Sequence, residues 1–204
     1  MYITVLCRVV DNFGDIGVAW RLCRRLAKIQ SKYKICLIVD NFDSFSKIEF
    51  SVKKGLSSQT VEGVEIFDWN NEAFCHDFFC QNDGEPLQII LELFQCGRPD
   101  WMEKILFEEK LNRTVQIIMI DYLTAEKYAE DFHCLKSLTR SAKVQKVNFM
   151  PGFTERTGGL IIDEGRRRPP HRSGPWHGHR EWPGKIPDSA PVPLPRPAHP
   201  PWCP

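Results

Sequence analysis

The chain has 204 residues, 27 lysines and arginines, 26 acidic residues and a net charge of +1. This length accommodates one or two domains. Residues 165–204 hold seven Lys/Arg and two acids, so residues 1–164 hold 20 and 24, a net charge of −4. An acidic balance in the larger part argues against a nucleic-acid-binding surface there.

The eight cysteines form no CxxC pair. Cys75, His76 and Cys80 come closest to a metal cluster, but a second half of the ligand set is missing. Met1 leads directly into an apolar segment without the basic start of a signal peptide, and no apolar run reaches the roughly 18 residues of a membrane helix. We therefore expect a cytoplasmic protein with reduced thiols, no metal and no membrane contact.

The first predicted strand is the apolar, β-branched run of residues 2–10. The residues from Trp20 to Lys28 place apolar side chains on one face and basic ones between them, which predicts the first helix. Residues 11–17 therefore form the turn between strand and helix. This turn contains two glycines and two carboxylates.

Strands and helices alternate along the rest of the chain. Further strands are predicted at residues 33–39, 61–67, 87–93, 115–120 and 144–149, with helices at residues 42–48 and 101–110. Phe74, Phe78 and Phe79 fall at helical spacing and are predicted to fill the core. The alternation predicts an α/β fold, a Rossmann-like parallel sheet with helices on both faces.

The turns that follow several predicted strands should open on one edge of this sheet, where ligands bind. The side chains expected along this rim are Asp11, Asp15, Asp40, Phe94, Asp121, Tyr122 and Glu126.

The turn at residues 11–17 has two interpretations. In one, Gly14 and Gly17 serve the backbone geometry and Asp15 caps the helix. In the other, the turn is a ligand site, because a helix N-terminus attracts anions and glycines admit a ligand to the backbone. Asp11 and Asp15 would repel a diphosphate, so we assign them to chemistry on a cationic or hydroxyl-bearing group and expect phosphates elsewhere.

Three motifs, at residues 11–22 (DNFGDIGVAWRL), 120–126 (IDYLTAE) and 149–160 (FMPGFTERTGGL), resemble the protein-arginine rhamnosyltransferases that modify elongation factor P. The resemblance covers residues 1 to about 163. It implies that residues 1–163 are the N-terminal, acceptor-binding domain of a two-domain GT-B glycosyltransferase. It also implies that the donor-binding second domain has no counterpart in this chain. Asp121 stands where the family usually has a glutamate.

The resemblance implies an inverting transfer of rhamnose from dTDP-rhamnose to an arginine of elongation factor P, without a metal or cofactor. We predict Asp15 as the general base and Asp11 as the residue that orients the guanidinium. Tyr122 and Glu126 are candidates for the acceptor side. The residues predicted to line the sugar side of the cleft are Asn12, Phe13, Gly14, Ile16 and Gly17.

Residues 164–204 are predicted to form a disordered tail. Twelve of the 15 prolines and four of the six histidines lie there, and large aliphatic residues almost vanish, so the segment cannot bury enough apolar surface to fold. The abrupt end of the third motif favours a frameshift or truncation near Asp163. A proline-rich ligand segment and a His-rich metal-binding tract are the alternatives.

Two other functions stay open. The chain could be a non-catalytic fragment that binds elongation factor P, because it lacks the donor-binding domain. It could also be a different Rossmann-like enzyme that binds a nucleotide at the first turn, although the turn lacks the G-x-G-x-x-G pattern.

Overall fold

The computed structural model describes residues 1–11, 13–29, 32–81, 85–108 and 113–159. Asn12 and the predicted tail at residues 164–204 lie outside the described residues, as does the proposed boundary near Asp163. In the described ranges, eight strands form one sheet: β1 (Tyr2–Cys7), β2 (Lys34–Val39), β3 (Ser58–Val61), β4 (Val64–Asp68), β5 (Ile89–Leu93), β6 (Val115–Ile120), β7 (Lys136–Ser137) and β8 (Val144–Phe149).

The helices of the same ranges connect these strands. They are α1 (Gly14–Ile29), α2 (Phe42–Ile48), α3 (Glu72–Gln81), α4 (Asp100–Phe107) and α5 (Tyr128–Phe132). None of them is long and apolar enough to cross a lipid bilayer.

The sheet has the strand order β3-β4-β2-β1-β5-β6-β8-β7. Its six inner strands pair in parallel, whereas β3 and β7 pair antiparallel at the two edges. The mixed α/β class predicted from the sequence is confirmed, with antiparallel edges added. The chain leaves β1 toward β2 on one side and returns to β5 on the other, so a crevice opens beyond the carboxyl ends of β1 and β5.

The main error in the predicted elements concerns residues 61–67. The structure has a hairpin of β3 and β4 there, because Glu62 (φ 46°) and Gly63 (φ 78°) form a two-residue turn in the left-handed region. Such a turn matches the twist of paired strands. The first strand also ends at Cys7 instead of residue 10, and β5 begins at Ile89 after a short 3-10 turn at Glu85–Leu87.

Two hydrophobic layers cover the two faces of the sheet. On one face Trp20 of α1 packs edge-on against Phe45 of α2, with ring centroids 5.2 Å apart. On the other face Phe79 of α3 packs against Trp101 of α4 at 5.0 Å. Phe79 is fully buried as predicted, whereas Phe74 on the same helix is 37% exposed. Helices therefore lie on both faces, as the alternation of elements indicated.

The turn between β5 and α4 is fastened by a partly buried ion-pair network. Arg98 donates to Glu92, which is 4% exposed on β5, and to Glu103 of α4 at 2.5 Å. Arg140 adds a second contact to Glu103 at 2.7 Å. Removal of one partner of such a pair would leave an uncompensated charge in the protein. The network therefore holds the carboxyl end of β5 in place.

The buried position of Phe79 leads to a stability prediction. We expect Phe79→Ala to lower the free energy of unfolding by about 3–5 kcal/mol, because it removes a buried ring and leaves a cavity between α3 and α4. Phe50→Ala serves as the control, since Phe50 is 90% exposed and should change stability by less than about 0.5 kcal/mol. Urea unfolding followed by circular dichroism measures both. Equal effects would contradict the packing described.

Candidate active site

The loop between β1 and α1 is held by carboxylates instead of by a neighbouring strand. The backbone N–H of Val9 donates to Asp40 Oδ1 at 2.9 Å. The N–H groups of Val10 and Asp11 both donate to Asp15 Oδ2, each at 2.9 Å. Three successive donors are thus satisfied by two acids, Asp40 directly after β2 and Asp15 in the first turn of α1. This explains why the first strand ends at Cys7.

Asp15 lies at the centre of this arrangement. It stands in the first turn of α1 and is 1% exposed. Its Oδ2 accepts the two backbone bonds, while its Oδ1 accepts a hydrogen bond from the hydroxyl of Tyr122 at 2.9 Å. The helix N-terminus also favours a negative charge at this position. Both oxygens of this buried carboxylate therefore have hydrogen-bond partners, as buried polar groups require.

Tyr122 comes from the loop after β6 and is fixed at several points. Its ring stacks on Phe94, with centroids 4.3 Å apart and an interplanar angle of 13°. Its backbone N–H donates to Asp121 Oδ1 at 2.8 Å. Burial of the hydroxyl, together with the hydrogen bond to Asp15 and the charge of that residue, raises the pKa of Tyr122 to about 12. The phenol is therefore neutral, and a donor, at physiological pH.

These groups lie at the mouth of a groove of about 960 Å³ between α1 and the carboxyl-end half of the sheet. Its walls are mostly apolar, its carboxylates stand at the strand ends, and two arginines lie along α1. The lining residues are Asp11, Gly14, Asp15, Val18, Arg21, Leu22, Arg25, Ile29, Leu91, Phe94, Ile118, Ile120, Asp121, Tyr122, Leu123, Phe149, Pro151 and Gly159.

Asp11 and Gly14 form a close-packed corner of this groove. The backbone N–H of Gly14 donates to the Asp11 carbonyl at 2.8 Å, and the Asp11 carboxylate lies over the Gly14 α-carbon. A Cβ at position 14 would stand 2.6 Å from Asp11 Oδ2. Glycine at this position therefore admits the Asp11 carboxylate to its place beside the helix N-terminus.

The structure brings four of the candidate residues together and places four others elsewhere. Asp11, Gly14, Asp15 and Tyr122 share the groove. The other four are Phe13, half-exposed with its ring 5.8 Å from Lys47 Nζ; Ile16, fully buried in the core; Gly17, facing Ile48 of α2; and Glu126, exposed in the loop before α5. Residues 121–126 form a loop, and α5 begins at Tyr128.

The turn is poorly suited to cradle a phosphate. The N–H groups of Val10 and Asp11, which could face an anion, are already bound to Asp15 Oδ2. Those of Gly14 and Gly17 donate to the carbonyls of Asp11 and Phe13. A pyrophosphate at this position would meet two carboxylates and find these four donors occupied. The geometry therefore disfavours dinucleotide binding at the first turn.

The region of Cys75, His76 and Cys80 shows no metal-binding arrangement. The Cys75 thiol is buried and contacts the carbonyl of Asp68 at 3.3 Å, and burial raises its pKa to about 12. Cys80 Sγ lies 3.6 Å from His76 Nε2. Within the ranges that the structure describes, no group of three or more His, Cys, Asp and Glu side chains could hold a metal ion.

Comparison with known proteins agrees with the resemblance in the three motifs. A family described as "Elongation-Factor P (EF-P) rhamnosyltransferase EarP" matches residues 3–173. The chain belongs to this family. A protein-arginine rhamnosyltransferase of Shewanella oneidensis is 34% identical over 78% of this chain and 39% of its own length. One of Pseudomonas aeruginosa is 32% identical over 80% and 41%. The chain thus matches about 40% of the length of these EarP relatives.

Sequence reasoning missed Gln95 as part of this site. Its Nε2 donates to Asp121 Oδ2 at 3.0 Å, so it links the turn after β5 to the loop after β6. The available signal was its position: a polar residue that directly follows a buried strand ending on the same edge as Asp121. The pairing itself joins residues 26 apart and depends on the tertiary fold.

The raised pKa of Tyr122 gives a pH prediction. We expect a spectrophotometric titration to show one tyrosine ionising near pH 12, about two units above the ordinary value. The neutral phenol is held more strongly in the folded than in the unfolded chain. Its contribution to stability is therefore complete below about pH 10 and is lost as the pH rises through about 12.

Two variants test whether the ionisation near pH 12 belongs to Tyr122. Tyr122→Phe should remove the high-pH step, and Asp15→Asn should move it down toward pH 10, because a negative acceptor is lost. A titration in which all tyrosines ionise at the ordinary pH would contradict the contact between Tyr122 and Asp15.

Proposed function

We propose that this chain is the acceptor-binding part of an enzyme that transfers rhamnose from dTDP-rhamnose to an arginine of elongation factor P. Membership of the EarP family supports the reaction class. The observation that carries the assignment to this groove is the placement of Asp15. It is a buried carboxylate in the lining of the groove, with Oδ2 bound by two backbone N–H groups and Oδ1 bound by the Tyr122 hydroxyl.

The groove suits a guanidinium group on chemical grounds. A guanidinium is planar and cationic, and it forms charge-assisted hydrogen bonds with carboxylates. Asp11, Asp15 and Asp121 supply carboxylates at the mouth, and the stacked rings of Phe94 and Tyr122 supply an aromatic surface beside them. An arginine side chain that entered here would meet both kinds of contact.

The high pKa of arginine determines when its proton can be removed. Its pKa exceeds about 12, and its nitrogen lone pair is delocalised over the plane, so a carboxylate cannot deprotonate it beforehand. A carboxylate can hold the group and take its proton as the nitrogen attacks. We assign the general base to Asp15, through Oδ1, and the orientation of the guanidinium to Asp11.

The proposed step is a single displacement with inversion. A guanidinium nitrogen forms a bond to the anomeric carbon of rhamnose as the bond from that carbon to the phosphate oxygen breaks. The leaving group is dTDP, and the nitrogen proton passes to Asp15 Oδ1. Carboxylates near the sugar would also stabilise the positive charge that develops on it.

We assign binding of the donor to the part of the relatives that has no match in this chain. Its similarity to the relatives extends over about 40% of their length. The occupied backbone donors at the β1–α1 turn also leave the diphosphate without a cradle there. We infer that donor binding requires the remaining part of a GT-B enzyme, and that this chain alone supplies the acceptor side.

The partial coverage favours a second candidate function, binding of elongation factor P without catalysis. Two assays separate the two functions: capture of purified elongation factor P by the chain, and detection of rhamnosylated elongation factor P by mass spectrometry after addition of dTDP-rhamnose. Capture with product supports an active enzyme, and capture without product supports a binding fragment. A wild-type chain that captures no elongation factor P would contradict both.

The role of Asp15 can be tested where transfer is measurable, in this chain or in an intact EarP relative changed at the corresponding aspartate. We expect Asp15→Asn to reduce the transfer rate by about 10²–10⁴-fold, because an amide cannot accept the proton. Binding of dTDP-rhamnose, measured by calorimetry, should change less than about twofold. Loss of donor binding would show that Asp15 holds the nucleotide sugar.

The contact between Asp11 and Gly14 gives a prediction with a matched control. Gly14→Ala would place a methyl group 2.6 Å from Asp11 Oδ2, so the carboxylate must move. We expect binding of elongation factor P to weaken about tenfold, which corresponds to about 1.4 kcal/mol. Gly17→Ala places its Cβ 3.8 Å from Ile48 Cδ1 and should bind like the wild type.

Thermal unfolding tests whether weaker binding by Gly14→Ala results from a loss of stability. Gly17 lies inside α1, where alanine is favoured over glycine by about 1 kcal/mol, and the Cβ at Gly14 meets only the end of the Asp11 side chain, so neither variant should lose stability beyond the measurement error. Equal binding by the two variants would remove Asp11 from the acceptor site.

A further inference from the structure

The turn that follows β5 has an unusual backbone. Phe94 and Gln95 both have φ near 54°, in the left-handed region that residues other than glycine rarely adopt. Gly97, two residues later, has φ 74°. Two successive non-glycine residues in this conformation indicate a turn that its surroundings hold in place. Such residues are frequent at functional sites.

Three contacts hold this turn against the loop after β6. The N–H of Phe94 donates to the Ile120 carbonyl at 2.7 Å, and Gln95 Nε2 donates to Asp121 Oδ2 at 3.0 Å. The third contact is the stack of Phe94 on Tyr122. The other oxygen, Oδ1 of Asp121, accepts a hydrogen bond from the backbone N–H of Tyr122. One oxygen of this carboxylate therefore binds the turn and the other binds the loop.

We propose that Phe94, Gln95 and Asp121 act as positioning residues that hold Tyr122 so that its hydroxyl directs Oδ1 of Asp15 into the groove. The name "rim clamp" is used for these four residues, Phe94, Gln95, Asp121 and Tyr122. The inference rests on the proposed function, because Asp15 Oδ1 is the atom assigned to receive the proton.

The need for a clamp follows from the geometry of Tyr122. The residue is half-exposed, and its hydroxyl reaches Asp15 from a segment 107 residues later in the chain. An unsupported phenol ring would leave that contact by rotation about two side-chain torsions. The left-handed turn brings the Phe94 ring face to face with it, and Asp121 fixes its backbone.

The two oxygens of Asp15 differ in their hydrogen-bond partners. Two backbone donors bind Oδ2, whereas one hydroxyl binds Oδ1. A carboxylate oxygen offers about two acceptor positions, so one position on Oδ1 stays available for the groove. The backbone thus leaves Oδ1 as the oxygen that can meet a substrate, and the rim clamp fixes the direction of that oxygen.

The direct test measures solvent exchange of the Val10 and Asp11 amides by NMR, because both donate to Asp15. In Tyr122→Phe the stack on Phe94 is kept and the hydroxyl is lost. We expect both amides to exchange about tenfold faster, the size of effect that loss of a hydrogen bond to a charged group produces. Amides of β1, such as Val5 and Leu6, should keep their rates.

Further variants separate positioning from general loss of stability. Gln95→Ala leaves the hydroxyl in place and should accelerate the same two amides to a smaller extent. Tyr33→Phe, at the opposite end of the sheet, should leave them unchanged. Unchanged exchange in both Tyr122→Phe and Gln95→Ala would overturn the rim clamp. Acceleration spread evenly over β1 would also overturn it, because that pattern reports global opening.

Capture of elongation factor P provides an independent readout. If the wild-type chain captures it and Tyr122→Phe weakens capture about tenfold with the selective amide exchange, the rim clamp serves acceptor binding. If the wild-type chain fails to capture it while the amide result holds, the proposed function fails and the positioning of Asp15 stands. Strong capture with unchanged amide exchange overturns the positioning alone.

Discussion

The hydrogen bonds of one buried carboxylate connect the parts of this site. Asp15 joins the loop after β1, through Val10 and Asp11, to the loop after β6, through Tyr122. These loops lie on opposite sides of the point where the strand order reverses. A charge with so little exposure requires such donors, because its desolvation would otherwise disfavour the folded state. These hydrogen bonds therefore fix the geometry at the mouth of the groove.

The same donors determine which chemistry the crevice can support. Four backbone N–H groups of the β1–α1 turn, those of Val10, Asp11, Gly14 and Gly17, are bound to Asp15 and to carbonyl oxygens. The groove mouth presents carboxylates and aromatic rings instead. This inversion of charge suits a cation better than a diphosphate.

The sequence predicted those features that depend on local pattern. Five parallel strands and the first helix follow from apolar runs and helical periodicity, and the acids of the first turn follow from their position after a strand. The burial of Ile16 was also readable, since Ile16, Trp20 and Cys23 share one helical face. The hairpin at Glu62–Gly63 was missed because residues 61–67 alternate between apolar and polar, so the turn residues fit the pattern of one continuous strand. The contact of Gln95 with Asp121 depends on strand order, which local pattern does not give.

The residues that depart from the usual preferences for burial and backbone conformation lie at the groove. The core follows ordinary rules, with apolar rings such as Trp20 and Phe79 packed on both faces of the sheet. At the strand ends, by contrast, Asp15 is a buried charge, and Phe94 and Gln95 occupy a backbone region that disfavours side chains. A chain selected for stability alone would place glycine at positions 94 and 95. The phenylalanine ring supports Tyr122 and the glutamine amide supports Asp121, so both side chains serve the geometry around Asp15 at the expense of local backbone preference.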